Sequence, residues 1–386
     1  MNNRPFILKG NIIVRNNDEY IIGKIIKNEN VEDKSKYIQV LEDKKINLYE
    51  KGYLGYIFEN KPENINLDNI NYCYDIQDFQ TLLDYDVIEM INKRYIRVLY
   101  RDDSEDNAIV VTNQCNSNCI MCPDSDTVRN TKENPDIKKL IEQVRCIPSD
   151  TNHITITGGE PGILKEDLIT LLKECKVNLS DTEFLLLSNG RIFANTDFVN
   201  KVKENIPNKI RIAIPIYADN EKLHDSITRS KGSFEQALEG IKKLLNRNIP
   251  VEIRIVVLKK NYKELENIAN FIVKEIPNVD RVHIMALEML GNAFKNKEEV
   301  WVDFDKIKKH VYKACMILIK AGIVTKLYNF PLCKVDNRIL SIADRSITDY
   351  KIRYKEECER CSAKNMCGGF FNSTINMKDI NVEPIK

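Results

Sequence analysis

The 386-residue chain has one tryptophan, four histidines and almost no net charge, with 58 Lys+Arg against 57 Asp+Glu. The four histidines (His153, His224, His283 and His310) are scattered, so no imidazole-rich metal site and no histidine base stands out. Balanced charge without a basic cluster argues against nucleic acid or an anionic membrane surface as a partner. No run of about 18 apolar residues occurs, which argues against a transmembrane helix. The opening residues, MNNRPFILKGN, lack the apolar stretch of a signal peptide. The expectation is a cytoplasmic protein with no membrane and no nucleic-acid partner.

Cysteine, by contrast, is plentiful. Eleven is a high and odd count for a compartment where disulfide frameworks are rare, so metal binding is the default reading. The 43 % of apolar residues suffices for a large core.

Residues 1–105 read as a β-rich domain of short apolar runs: 11–16, 19–27, 53–58, 86–90 and 95–101. The polar stretch RDDSEDN, 101–107, reads as a linker. Over 106–322 the pattern changes. Near-continuous apolar strands at 108–114, 153–157, 184–188, 210–217, 251–258 and 281–287 alternate with helical periodicities at 136–144, 166–175, 197–206, 233–246 and 263–276. A sixth helix is expected near 304–321. The fold class is α/β: a parallel sheet covered by helices, too short for eight repeats, and so a partial (βα)6 TIM barrel. Catalytic groups in such barrels belong at the C-terminal strand ends. Residues 323–386 form a cysteine-bearing tail.

Two motifs carry chemistry. CNSNCIMC places Cys115, Cys119 and Cys122 at spacing C-x3-C-x2-C directly after the first barrel strand. Three thiolates can hold three corners of a [4Fe–4S] cube and leave the fourth iron open for a ligand. Structural zinc with a distant fourth ligand is the alternative. TGGEP follows the second strand. Gly158 and Gly159 permit close approach of backbone, and Glu160 offers a carboxylate for charge-assisted bonds to an ammonium group. An amino acid chelating the open iron, with Glu160 on its ammonium, would be S-adenosylmethionine (SAM).

Together these motifs resemble the radical SAM superfamily over about 108–321. The superfamily usually has an aromatic residue before the third cysteine; here it is Met121. The resemblance implies SAM contacts from Gly158, Gly159, Glu160 and Pro161, from Ser188 in SNG at the end of strand three, and from Arg254 in strand five. It also implies that LEMLGNA, 287–293, lies along adenine. For Ser188 a plain strand-end turn, for Arg254 an interior ion pair and for 287–293 simple core packing stay open.

In the tail, Cys358, Cys361 and Cys367 at C-x2-C-x5-C resemble the C-terminal half of SPASM and twitch extensions of peptide-modifying members. The next cysteine expected from that pattern is Phe371. With Cys333 they imply one auxiliary [4Fe–4S] cluster; a zinc staple on the same thiolates is the alternative. Cys73, Cys146, Cys175 and Cys315 remain as core residues.

YIRVLYRDDSEDNAIVVTNQCNSNCIMC and the segment from YNFPLCKV to MCGGFF further resemble the radical SAM maturase group of the His-Xaa-Ser system known as HxsC. That implies a ribosomal precursor peptide as substrate, a second radical SAM maturase as partner and an electron donor such as flavodoxin or ferredoxin. Reductive cleavage of SAM would give a 5′-deoxyadenosyl radical that abstracts hydrogen from the peptide. Other SPASM/twitch chemistry (cyclophane, thioether or sulfatase-maturase-like) and a non-catalytic scaffold of a paired maturase stay open. No catalytic acid or base is named by the sequence.

Overall fold

The computed structural model describes residues 4–15, 19–27, 29–124, 136–377 and 380–386. The N-terminal part is an eight-stranded mixed sheet of β1 (Ile7–Leu8), β2 (Asn11–Ile13), β3 (Tyr20–Ile26), β4 (Tyr37–Leu41), β5 (Gly55–Phe58), β6 (Tyr72–Tyr74), β7 (Val87–Ile91) and β8 (Tyr95–Tyr100). Their order is β1-β8-β7-β3-β4-β5-β6-β2. Each of the five expected apolar runs contains a strand; Asn16, which ends the first run, lies outside the described residues. The strands β1, β4 and β6 were not expected. Two of them have only two or three residues, too few for alternation to register.

The expected linker is pinned down. Arg101 is buried and its Nη1 lies 3.1 Å from Asp86 Oδ2, while Asn107 Nδ2 donates to the Arg101 and Ser104 carbonyls at 2.8 and 2.7 Å. The two ends of the stretch are thus buried and satisfied, while Asp102, Asp103, Glu105 and Asp106 between them are exposed.

The second sheet is parallel throughout: β9 (Ala108–Val110), β10 (His153–Thr157), β11 (Glu183–Leu187), β12 (Ile210–Pro215), β13 (Val251–Val256), β14 (Arg281–Met285), β15 (Val324–Tyr328) and β16 (Ala343–Asp344), in sequence order. The six expected strands are present, and β15 and β16 extend the sheet into residues read as tail. Between the strands run α1 (Ile137–Cys146), α2 (Glu166–Asn178), α3 (Thr196–Asn205), α4 (Glu221–Thr228), α5 (Ser233–Leu245), α6 (Leu265–Glu275) and α7 (Phe304–Lys320). Ile253, Ile255, Val282 and Ile284 join the large core with residues of those helices. With a side-chain period of two, Glu252, Arg254, Arg281 and His283 share the opposite face, and register aligns Arg254 with His283 and His283 with Lys326. On these two strands the inward face is therefore polar and the face towards the helices apolar.

Beyond β16 the chain forms short 3₁₀ turns and a small antiparallel pair, β17 (Ile352–Arg353) and β18 (Phe370–Phe371). Lys334, almost fully buried, anchors this region by bonding Asp305 of α7 at 2.7 and 2.9 Å. Among the described residues no helix is long and apolar enough to cross a membrane.

Candidate functional site

The cysteine loop leaves β9 and is gripped through its main chain from both flanks. On one flank Asn118 N–H donates to the Thr228 carbonyl at 3.0 Å and Ile120 N–H to the Ile227 carbonyl at 2.9 Å, both at the end of α4. On the other, Asn292 N–H donates to the Cys122 carbonyl at 2.9 Å, and Asn296 Nδ2 to the Ile120 carbonyl at 2.9 Å. Gly291 makes this approach feasible: its φ is +56°, and a Cβ there would lie 2.1 Å from the Pro123 oxygen. From a third side Arg191 Nη1 donates to the Asn116 carbonyl at 2.6 Å and Asn189 Nδ2 to Asn116 Oδ1 at 2.6 Å. The side chains of Ile120 and Met121 turn inward, into an apolar cluster with Tyr217, Leu258, Leu287 and Met289. Met121 thus has a packing role, as does much of 287–293.

Tyr217, just past β12, is buried in the cluster against which Cys119 packs. Burial pushes its phenol well above the ordinary range, and Cys119, Cys122 and Cys115 reinforce that while Arg254 opposes it. Its backbone N–H donates to His224 Nδ1 at 3.2 Å. Burial lowers the His224 pKa to about 4, so at neutral pH this ring is a neutral acceptor.

The glycines of TGGEP meet the same loop. Gly159 N–H donates to the Thr112 carbonyl at 2.7 Å and Glu160 N–H to the Gln114 carbonyl at 2.8 Å. A Cβ on Gly158 would stand 2.3 Å from the Thr112 oxygen, and one on Gly159 2.2 Å from the Gln114 oxygen. The close approach that these glycines permit is thus to the chain leading into Cys115. Pro161 opens the 3₁₀ turn Pro161–Leu164, which Glu160 caps through Gly162 N–H at 2.8 Å.

Glu160 is fully buried. It accepts from Ser188 Oγ at 2.7 Å and from Asn189 N–H at 2.5 Å as well as from Gly162. Burial raises its pKa, opposed by these three bonds and by Arg191. Ser188 and Glu160 are therefore one unit joining the ends of β10 and β11. Arg254 is apart from that unit: its Nε pairs with Glu252 Oε1 at 2.7 Å, which also lies 3.1 Å from His283 Nδ1. Burial alone would raise the Glu252 pKa, but the two partners outweigh it and hold it at about 2.

Cys333, Cys358, Cys361 and Cys367 converge on a second place. They line one small cavity of about 20 Å³, with Leu332, Tyr354, Phe370 and Val382. Cys367 Sγ accepts from Leu332 N–H and Gly369 N–H, each at 3.3 Å. Burial, with Cys367 and Cys358 adding to it, pushes the Cys333 thiol up to about 11. Burial likewise raises the Cys358 thiol. Four thiols around one apolar hollow suit a cationic guest. Among the described residues no three His, Cys, Asp or Glu side chains are arranged to hold a single metal ion. The remaining four cysteines lie elsewhere in the packed interior, where burial raises Cys175 and Cys315 to about 12.

Sequence reasoning missed Tyr217, Asn189, Arg191, Asn292 and Asn296. Only the Asn–Gly and Gly–Asn pairs in SNG and LGNA signalled turn chemistry there.

The family model described as the radical SAM superfamily matches residues 109–272. This stretch is a radical SAM domain, the catalytic module of a superfamily of enzymes that use a [4Fe–4S] cluster and SAM. The chain is 26 % identical over 271 residues to a probable GTP 3′,8-cyclase of Sulfurisphaera tokodaii, covering 66 % of this chain and 83 % of that protein. It is 24 % identical over 201 residues to the sporulation killing factor maturation protein SkfB of Bacillus subtilis, covering 51 % and 46 %. Among solved structures, native anSMEcpe with bound AdoMet and Kp18Cys peptide superposes with TM-score 0.54 at 12 % identity, covering 72 % of this chain and 91 % of that one. The chain spans about half the length of SkfB and of several solved structures it matches.

Proposed function

We propose that this chain is a radical SAM peptide maturase acting on a ribosomally made precursor of His-Xaa-Ser type, beside a second radical SAM maturase and an electron donor of flavodoxin or ferredoxin type. The observation that carries the reading is the pairing, in one chain, of the gripped C-x3-C-x2-C loop with a separate four-thiol cavity. Three thiolates would hold the front [4Fe–4S] cluster, and Cys333, Cys358, Cys361 and Cys367 an auxiliary one. A cluster with SAM on its open iron supplies a 5′-deoxyadenosyl radical by one-electron cleavage of the sulfonium.

The chain's own residues position and shield. Glu160, held by Ser188, Asn189 and Gly162, keeps lone-pair capacity for the SAM ammonium. Gly158, Gly159 and Pro161 fix the turn that aims it. Arg254, on the face shared with Tyr217, would meet the SAM carboxylate. Tyr217 and the apolar cluster beneath Met121 keep water from the thiols' inner side.

The free edge of β9 offers the peptide a seat. Asn107 and Val111 use their backbone groups to bond β10, so Ala108 and Val110 turn theirs to the other side. There lies a cleft of about 480 Å³ lined by Phe6, Arg97, Val110, Lys139 and Tyr350. An extended peptide could add to β9 as a further strand. Val110→Pro removes an edge donor without touching the β10 ladder and should weaken peptide binding severalfold, read by titration.

The S. tokodaii relative, matched over 83 % of its length, favours a second reading in which a nucleotide is cyclised. Anaerobic reconstitution, iron analysis and 5′-deoxyadenosine assays with GTP and with short peptides from neighbouring reading frames separate the two. Deuterium passing from a labelled peptide into 5′-deoxyadenosine supports the maturase; deuterium from GTP alone supports the cyclase; zinc without iron removes both.

A further inference from the structure

Residues 380–386 come to the four-thiol cavity from far along the chain. Ile380 and Val382 are buried in the main core. The Ile380 carbonyl accepts Lys355 Nζ at 2.6 Å, and the Ile385 carbonyl accepts both Ser362 N–H and Ser362 Oγ at 2.9 Å. Val382, Glu383 and Pro384 form part of the cavity wall. Between these anchors the backbone turns donors inward: Ile385 N–H bonds Cys361 Sγ at 3.3 Å, and the Glu383 N–H acts on Cys333, easing its thiol downward against burial. The donors are two residues apart, the period of extended chain. Pro384, which has no N–H to offer, sits between them, and the Glu383 side chain is exposed to solvent.

We propose that residues 382–385 are a strap belonging to the auxiliary site: they close its cavity, and their two N–H groups set the reduction potential of the cluster within. The inference rests on the reading that these four thiolates hold a [4Fe–4S] cluster. Hydrogen bonds to cluster sulfurs and exclusion of solvent are two of the terms that fix such potentials. An N–H dipole aimed at a thiolate favours the more negative, reduced state, so each strap bond raises the potential. Leu332 and Gly369 serve Cys367, and the strap supplies the donor of Cys361 and acts on Cys333.

Full-length protein with Cys115→Ala, Cys119→Ala and Cys122→Ala isolates this site, so iron content and an EPR-monitored redox titration report it alone. About four irons per chain are expected; a parent without iron overturns the cluster reading itself. In this parent, Ile385→Pro and Glu383→Pro each delete one donor, whereas Ile385→Ala and Glu383→Ala keep both. The proline variants should titrate at more negative potential and lose iron to a chelator faster, and the alanine variants should follow the parent. A chain ending at Asn381 lacks the whole strap and should lose iron fastest, which keeps the proposal testable if a proline disturbs folding. Unchanged potentials with iron retained in the proline variants, or extraction from the shortened chain at the parent's rate, overturns the strap.

Discussion

The two cysteine sites are built in opposite ways. At the front, Cys115, Cys119 and Cys122 ride on a loop whose main chain is clamped by Thr228, Asn292, Asn296 and Arg191. At the back, donors go to the sulfurs themselves: Leu332 and Gly369 to Cys367, and Ile385 to Cys361. The first construction fixes where three thiols stand through the chain that carries them; the second acts on the thiols themselves. On the proposed reading, the difference teaches that an exchangeable site takes its rigid frame from outside its ligands, whereas a permanent one builds its frame from them.

The comparison breaks most sharply by removing one ligand from each site. Cys119→Ala should abolish 5′-deoxyadenosine formation, read by chromatography, while leaving about four irons per chain. Cys358→Ala should also cost about four irons, but its loss should show in product formation on peptide more than in SAM cleavage. If both variants lose SAM cleavage equally, the division of labour is wrong.

Next in size is the clamp. Gly159→Ala drives a Cβ to 2.2 Å from the Gln114 oxygen, backbone that cannot swing aside. A loss of about 3 kcal/mol in denaturant unfolding is expected, with iron missing from the front site only. A smaller effect tests what lies under the front site. Glu252→Gln leaves Arg254 and His283 without their shared carboxylate, and a loss of about 2 kcal/mol at pH 7 is expected. The sign follows from the depressed carboxyl. Held at about 2 in the folded chain against about 4.3 unfolded, it contributes stability that is present above the unfolded value and lost as pH falls towards 2. The gap between wild type and variant should therefore narrow below about pH 4. The smallest effect is Asn292→Ala, about 1 kcal/mol for the lost side-chain bonds, with slower front-cluster assembly followed by absorbance.

Much of this was legible because it depends on local pattern. Alternating βα periodicity pointed to the parallel sheet, and spacing singled out Cys115, Cys119 and Cys122 and then Cys358, Cys361 and Cys367, whereas Cys333 carries no spacing signal of its own. The front clamp was hidden because backbone amides and carbonyls carry no residue identity: Ile227 and Thr228 hold the loop through atoms that every residue has. Glu160 was visible as a carboxylate, but its bonds to Ser188 and Asn189 depend on two strand ends meeting. β15 was missed because its alternation at 324–328 begins where cysteine spacing dominates the reading. The strap was missed because its chemistry lies in two amides of an unremarkable stretch.

Cys333 sits between β15 and β16, inside the run of the parallel sheet rather than after it. The rear site is consequently no detachable module. Transplanting residues 345–386 onto another barrel would leave one thiolate behind, and a functional graft must carry the last two strands with it.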